Sequence, residues 1–444
     1  MSEFLFLLFA ASLFLKLGSD TLEHPQTRIF YLVFLVIIFL LCAGNSRIRH
    51  PFKSSPALFF LFFFGFEVLR LLWAVWLMEF RGVGENPLLP LLRYVSSPVN
   101  WLIFFGFFLF ALSFFRTREQ ANRLLWWVAW MAFILAMAAI PPLLLRGHLG
   151  YPGRGGGLNF FPPFFYFNKF FSQYVISRYA HPNDMGDLVA LGFFPATGLF
   201  FYFLQRLKEG VSLVSLGLPA LFLATEALAI ILFFSRGTIV CFSFTFLLFL
   251  LATLVKYPSR LQLSFAAVAF TLIVIFFLWA GNVQATWKEL QTLKRETTSA
   301  GTSSSNVNRE GAKRALTIYR ALPLWGAGTG GYAGVSPLFS TVKNSTMSNF
   351  KTFCHYLQVL CEEGVGAYLY FLFILAYFFE WITALLRTNS RFQFMAGLSL
   401  GMPVLMIYLH AAVSPIMDYF AMALPVYIYM GLSLGVLQKD FEHG

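Results

Sequence analysis

The sequence predicts an all-α, polytopic integral membrane protein of about twelve transmembrane helices with two long periplasmic loops. Three observations predict it. The 444 residues are 58% hydrophobic and 12% charged, with 57 phenylalanines, more apolar surface than a soluble domain can hide. Apolar runs close to the length needed to cross hydrocarbon recur along the chain. The cations between those runs alternate in a regular way, the signature of an orientation set by cytoplasmic lysine and arginine.

Taken in order, the apolar runs fall at about 4–18, 29–44, 57–79, 98–115, 124–145, 187–204, 211–234, 236–255, 261–280, 357–386, 392–412 and 415–437. The first begins Met-Ser-Glu-Phe-Leu-Phe, without a basic flank or a small-residue cleavage site, so it reads as a span rather than a removed signal peptide. It is short and carries Lys16, which can snorkel to the interface. The tenth is long enough for its first turns to lie outside the hydrocarbon. Arg47, Arg49 and Lys53 follow the second run, and Arg116, Arg118 and Arg123 the fourth. Arg206 and Lys208 follow the sixth, Lys256 and Arg260 the eighth, and Arg387 and Arg391 the tenth. All of these fall on one side, which the positive-inside rule makes cytoplasmic together with both termini. The chain then divides into spans 1–5 (1–145), a periplasmic loop (146–186), spans 6–9 (187–280), a large basic periplasmic loop (281–356), and spans 10–12 with a cytoplasmic tail (357–444).

The two loops differ in chemistry. In 146–186, Gly153-Arg-Gly-Gly-Gly157 precedes Phe160, Phe161, Phe164, Phe165, Phe167, Phe170 and Phe171, rings suited either to the acyl interface or to packing on the bundle. The segment 281–353 holds nine cations (Lys288, Lys294, Arg295, Arg309, Lys313, Arg314, Arg320, Lys343 and Lys351) against Glu289, Glu296 and Glu310. That balance describes either a solvated basic surface or a funnel for an anionic substrate. A polar stretch, Thr298 to Asn306, leads into helical character from Arg309 to Tyr319, and Leu322-Pro-Leu-Trp-Gly-Ala-Gly-Thr-Gly-Gly331 then imposes a turn. Gly326 and Gly328 read best as lining a substrate path, because no strand precedes them to support a dinucleotide fold.

Individual polar residues stand out against the apolar background. Arg236 lies in Leu-Phe-Phe-Ser-Arg-Gly-Thr-Ile-Val-Cys-Phe, where a cation costs about 2.5–3.5 kcal/mol at a helix centre. It either offers charge to an anion at the membrane surface or snorkels to headgroups. Glu67 and Arg70 stand at i and i+3 within span 3, a spacing that favours a structural ion pair. Glu226, His410 and Asp418 are polar positions that line a cavity or cap partners, and Glu362 and Glu363 open span 10, where a helix N-terminus stabilises carboxylates. Cys42, Cys241, Cys354 and Cys361 show no metal-ligand spacing and read as packing residues. No outer-face carboxylate cluster suggests a metal, no cofactor is expected, and nothing points to nucleic acid.

One tract resembles a known family. The quoted residues are His181-Pro-Asn-Asp-Met-Gly186, Ser235-Arg236-Gly237, Arg309, Pro323-Leu-Trp-Gly-Ala-Gly328, Tyr356-Leu-Gln358 and Glu362-Glu-Gly364. In this order and placement they are similar to the bacterial O-antigen ligase and O-antigen polymerase superfamily, over roughly 175–366. One departure is visible. Aligned on Tyr-Leu-Gln, the family's His-Asn falls on Phe353-Cys354, and His355 stands two residues later, so either His355 takes over the role through a local shift or the family's histidine chemistry is altered here.

The resemblance implies a metal-independent membrane glycosyltransferase of the bacterial inner membrane. It moves a glycan from polyprenyl pyrophosphate to a sugar hydroxyl on the periplasmic face, with membrane lipids around it. The acceptor is lipid A core in a ligase, or a second lipid-linked glycan in a polymerase. The departing pyrophosphate gathers negative charge, so arginines fixed beside it lower the barrier. Arg236 and Arg309 are the expected catalytic cations. Arg314, Arg178, His181, Asn183, Gly326, Gly328, Tyr356 and Glu362 are expected at the substrate. His355 is the expected proton acceptor, since imidazole titrates near neutral pH. Twelve spans also suit a secondary transporter or a lipid-linked glycan flippase. Against that class stand the absence of related halves and the gathering of basic and glycine-bearing features on one face.

Overall fold

A computed structural model describes residues 54–81, 88–114, 117–148, 182–210, 212–233, 236–259, 304–328, 331–339, 354–414 and 420–438, with a few isolated positions between them. Some helix ends, those at 182–185, 236 and 304–308 among them, are described as backbone alone. The expected first and second spans, most of the ninth, and the phenylalanine-rich stretch at 160–171 lie outside the described residues.

The described chain is helical throughout: α1 (Ser55–Arg81), α2 (Leu88–Phe114), α3 (Arg118–His148), α4 (Pro182–Arg206), α5 (Val214–Phe233), α6 (Arg236–Lys256), α7 (Ser304–Ala321), α8 (His355–Glu363), α9 (Gly366–Arg387), α10 (Arg391–His410) and α11 (Phe420–Leu437). Among the described residues, six segments are long and apolar enough to cross a membrane: Ser55–Trp73, Gly186–Arg206, Val214–Ile231, Gly237–Lys256, Gly366–Arg387 and Arg391–His410. Val99–Phe114 and Met422–Leu437 are shorter apolar helices. Each coincides with an expected span. The expected tenth span does not run unbroken from 357 to 386; it stops at Gly364 and restarts at Gly366. Gly364 has φ +59°, a conformation that releases the chain from the helix at little steric cost.

Burial sorts the helices. α4 and α10 are sheathed by neighbours, whereas α1 and α9 keep one face outward. Phe62, Leu69, Ile134, Leu251, Val255, Leu375 and Phe379 are exposed on such faces, the arrangement a lipid environment rewards. The interior between α1, α2, α9 and α11 is aromatic. Phe60 stacks on Phe105 at 4.8 Å and meets Phe373 edge-on at 4.8 Å, while Phe104 stacks on Tyr427 at 4.8 Å. Offset and edge-on rings add to area burial, which lets such side chains hold adjacent helices in register.

Elsewhere small residues bring backbones together. A β-carbon on Gly192 or Gly431 would collide with Ala132 or with the Phe108 carbonyl, and one on Gly198 would sit 2.7 Å from Ser399. These contacts join α4 to α3, α11 to α2 and α4 to α10, as small-residue seams do where no hydrophobic effect drives helices together.

Three short-loop cations among the described residues, Arg118, Lys256 and Arg391, share one end of the bundle. Lys256 Nζ donates to the Leu386 carbonyl at 3.0 Å, Arg391 pairs with Glu209 at 3.1 Å, and Arg118 lies 5.1 Å over the Phe392 ring. The starts of α4, α6 and α8 lie at the opposite end. There an outer layer, α7 on α8, is tied to α1. Arg70, buried at 3% exposure, pairs with Glu67 at 2.5 Å, pairs with Glu363 and donates to the Glu362 carbonyl at 3.0 Å. The expected Glu67–Arg70 pair is thus present, and its third member comes from α8.

Removing one partner of a buried ion cluster costs about 3–5 kcal/mol, because the remaining charges stay buried. Arg70→Met is therefore expected to lower the thermal inactivation midpoint of detergent-purified protein sharply. The triple change Glu67→Gln, Arg70→Met, Glu363→Gln is expected to restore much of it. A single Arg70→Met variant as stable as the parent would remove Arg70 from this role.

Candidate functional site

The outer layer is built on two glycine turns that close on each other. Beyond α7 the chain turns through Leu322 to Gly328 and lies along the end of α8. Ala327 N donates to the Cys361 carbonyl and Gly328 N to the Glu362 carbonyl, each at 2.9 Å, and Val365 N donates back to the Leu324 carbonyl at 3.2 Å. Gly326 has φ +65°, and a β-carbon there would collide with the Glu362 carbonyl. One on Gly364 would stand 2.7 Å from Gly326 N. Pro-Leu-Trp-Gly-Ala-Gly and Glu-Glu-Gly are therefore two halves of one backbone contact. That contact accounts for Gly326 and Gly328 by docking, where the sequence suggested the wall of a path. Trp325 completes the clamp, stacked on Phe66 at 5.5 Å and on Trp73 at 5.8 Å.

Glu362 and Glu363 occupy the last turn of α8, not the first turn of a span. The expected stabilisation by a helix N-terminus does not apply, since a C-terminus repels negative charge. Specific partners replace it. Glu362 Oε1 accepts from Tyr332 N at 3.2 Å and from Gln358 Nε2 at 3.3 Å, and Glu363 pairs with Arg70. Glu362 thereby fixes the short helical turn Tyr332–Val335 beside α8.

α7 rests on this platform through Ala315, Ile318, Tyr332 and Cys361, so Cys361 serves as the expected packing residue. Tyr332 Oη donates to the Gly311 carbonyl at 3.3 Å, and burial pushes its hydroxyl up to about 12, keeping it a neutral donor. The cations of α7 divide between two environments. Arg309 and Arg320 are exposed, whereas Arg314 is 2% exposed and its Nε lies 3.4 Å from Glu310 Oε1. A water-facing Arg314 was one reading of the sequence; the fold buries it between α7 and the Tyr332 turn.

His355 is the first residue of α8 and is buried. Its Nε2 lies 3.1 Å from Tyr370 Oη in α9, and its backbone N donates to the Ala411 carbonyl at 2.9 Å. Tyr370 continues into a phenol cluster, 3.4 Å from both Tyr408 Oη and Tyr427 Oη. Tyr356 Oη donates to the Tyr408 carbonyl at 2.7 Å, which ties the next residue of α8 to α10. Arg236 begins α6, and Asn183 lies in the first turn of α4; their side chains, together with Arg178 and His181, lie outside the described residues.

The sequence left two site neighbours unassigned. Tyr370 is hidden in an apolar run, although a tyrosine fifteen residues after a histidine carries no local signal. Asp187, one residue beyond the quoted Asn-Asp-Met-Gly segment, lies 2.6 Å from His410. The residue after Arg236, Gly237, abuts His410, and His355 N donates to the Ala411 carbonyl, so the starts of α6 and α8 reach the same corner of the chain.

Residues 219–372 match the family described as O-Antigen ligase, a segment that takes in α6, α7, both glycine turns and α8. No curated protein sequence matches the chain. The matched segment is thus similar to the O-antigen ligase family, and it contains the two glycine turns that close the outer layer onto the bundle.

Proposed function

We propose that the protein is an O-antigen ligase of the bacterial inner membrane, transferring a glycan from polyprenyl pyrophosphate to a sugar hydroxyl of lipid A core on the periplasmic face. The observation that carries the reading is the docking of the cationic helix α7 onto α8 through Gly326, Gly328 and Gly364, within the segment that matches the ligase family. It makes Arg309 and His355 parts of one unit. Lys256 and Arg391, among the described short-loop cations, share the end opposite to this layer, which supports a periplasmic site under the positive-inside rule.

In the proposed step the acceptor oxygen attacks the anomeric carbon, the bond to pyrophosphate breaks, and its electron pair leaves with the pyrophosphate. Arg236 and Arg309 neutralise the charge gathered there, with Arg314 and Arg178 supporting and His181, Asn183 and Tyr356 at the donor. His355 takes the hydroxyl proton. The 3.1 Å contact between His355 Nε2 and Tyr370 Oη, backed by the tyrosine cluster, holds the ring in place for that role.

Surface glycan from a strain lacking the protein tests the function. A lost ligase leaves long chains stranded on the lipid carrier. Single repeats on the core would indicate a polymerase joining lipid-linked units, and unchanged glycan would reject both.

Arg236→Ala and Arg309→Ala are each expected to abolish nearly all transfer without loss of protein from membranes. Lysine is expected to rescue poorly, because the planar fork that grips phosphate oxygens is missing. Lysine variants with most of the parent activity would show that point charge suffices.

His355→Ala is expected to lower turnover by about 100- to 10,000-fold while donor binding survives. A purified variant transferring glycan at the parent rate would take His355 out of the mechanism.

A further inference from the structure

A second polar pair is buried where α4, α6 and α10 meet. His410 Nδ1 lies 2.6 Å from Asp187 Oδ2, at exposures of 1% and 0%. Asp187 stands in the second turn of α4 and His410 is the last residue of α10. A carboxylate so placed is costly in an apolar surround and persists where it holds something in place.

The pair touches α6 at the residues that follow Arg236. The Thr238 side chain, fully buried, interacts with Asp187, and it also lies 3.2 Å from where a Gly186 β-carbon would stand. Gly237 faces the imidazole so closely that a methyl there would collide with Nε2. Glycine at 237 is therefore required by the histidine, and the histidine sets how near the start of α6 approaches α10. The residue after His410 makes the other connection, because the Ala411 carbonyl accepts from His355 N at 2.9 Å. One corner of the chain, His410-Ala411, thus abuts the beginnings of both α6 and α8.

We propose that Asp187 and His410 are positioning residues: the pair fixes the corner that sets Arg236 at the start of α6 in register with His355 at the start of α8. The inference rests on the reading of Arg236 as a pyrophosphate-binding residue. His410 itself need not touch substrate. Its ring is a spacer whose height is held by the Asp187 hydrogen bond, and an error of one ångström in such placement costs about 100-fold in rate.

The test uses full-length protein in nanodiscs. An undecaprenyl-pyrophosphate-linked oligosaccharide is the donor, offered lipid A core oligosaccharide or a second lipid-linked oligosaccharide, with release of undecaprenyl pyrophosphate as the readout. His410→Ala is expected to lower kcat by about 100-fold with donor KM little changed, since a transition-state contact is lost rather than uniform binding. His410→Asn keeps an N–H donor for Asp187 and is expected to recover most of that loss. Gly237→Ala is expected to lower kcat, and His410→Asn in the same chain to restore part of it, because the shorter amide vacates the space the methyl needs. These last two variants decide the matter if His410→Ala fails to fold. Parent-level kcat in Gly237→Ala, or no recovery on adding His410→Asn, overturns the proposal. So does a folded His410→Asn protein as inactive as His410→Ala, which would make His410 a proton carrier. Arg236→Ala separates the two levels: if it is inactive while His410→Ala is normal, only the positioning role fails. If Arg236→Ala is active, the reading of Arg236 fails.

Discussion

A single buried guanidinium carries the outer half of the molecule. Arg70 sits near the outer end of α1 with Glu67 one turn below it and the end of α8 across from it. α8 ends in two glutamates, where its own dipole is adverse to them and its last carbonyls need donors. Arg70 supplies charge to Glu363 and a donor to the Glu362 carbonyl, and the glycine turn supplies the other donors. The outer layer therefore cannot dock as an independent unit. It completes itself only on the bundle, and α7 with its cations is carried along by the same contacts.

α10 plays the complementary part from within. It is buried along most of its length, and its end reaches the starts of both α6 and α8. Span packing and site geometry are thus one problem in this protein. The seams that bring α4 and α10 together at Gly198 and Ser399 lie on the same helices that carry Asp187 and His410.

Much of this was legible in the chain itself. The helices at 57–79, 187–204, 211–234, 236–255 and 392–412 stand out because hydrocarbon length imposes a simple pattern on composition, and the Glu67–Arg70 spacing announces its own pair. α7 is announced by a polar stretch before it and glycine after it, and the structure extends it to Ser304–Ala321. Other features depend on partners far away in sequence. The break at Gly364 is invisible in a run that stays apolar on both sides, so Glu362 and Glu363 appeared to begin a helix that they end. Arg314 looks like its neighbour Lys313 until Tyr332 folds over it. Asp187 and His410 are 223 residues apart, and no local pattern links a lone histidine at a helix end to a carboxylate in another span. Periodicity reports which face is apolar; it does not report which buried polar groups find each other.

The glycine seams have a consequence for how the protein can diverge. At Gly192, Gly198 and Gly431 the facing atoms leave no room for one additional carbon. Sequence drift at those positions is closed in the direction of added volume, whatever the chemistry of the newcomer. The bundle is accordingly a frame with few neighbouring solutions, and the exposed residues Arg320, Leu322 and Leu324, on α7 and the turn after it, face no such limit. Sequence change has its freedom there, on a surface that can be rewritten while the frame beneath it stays the same.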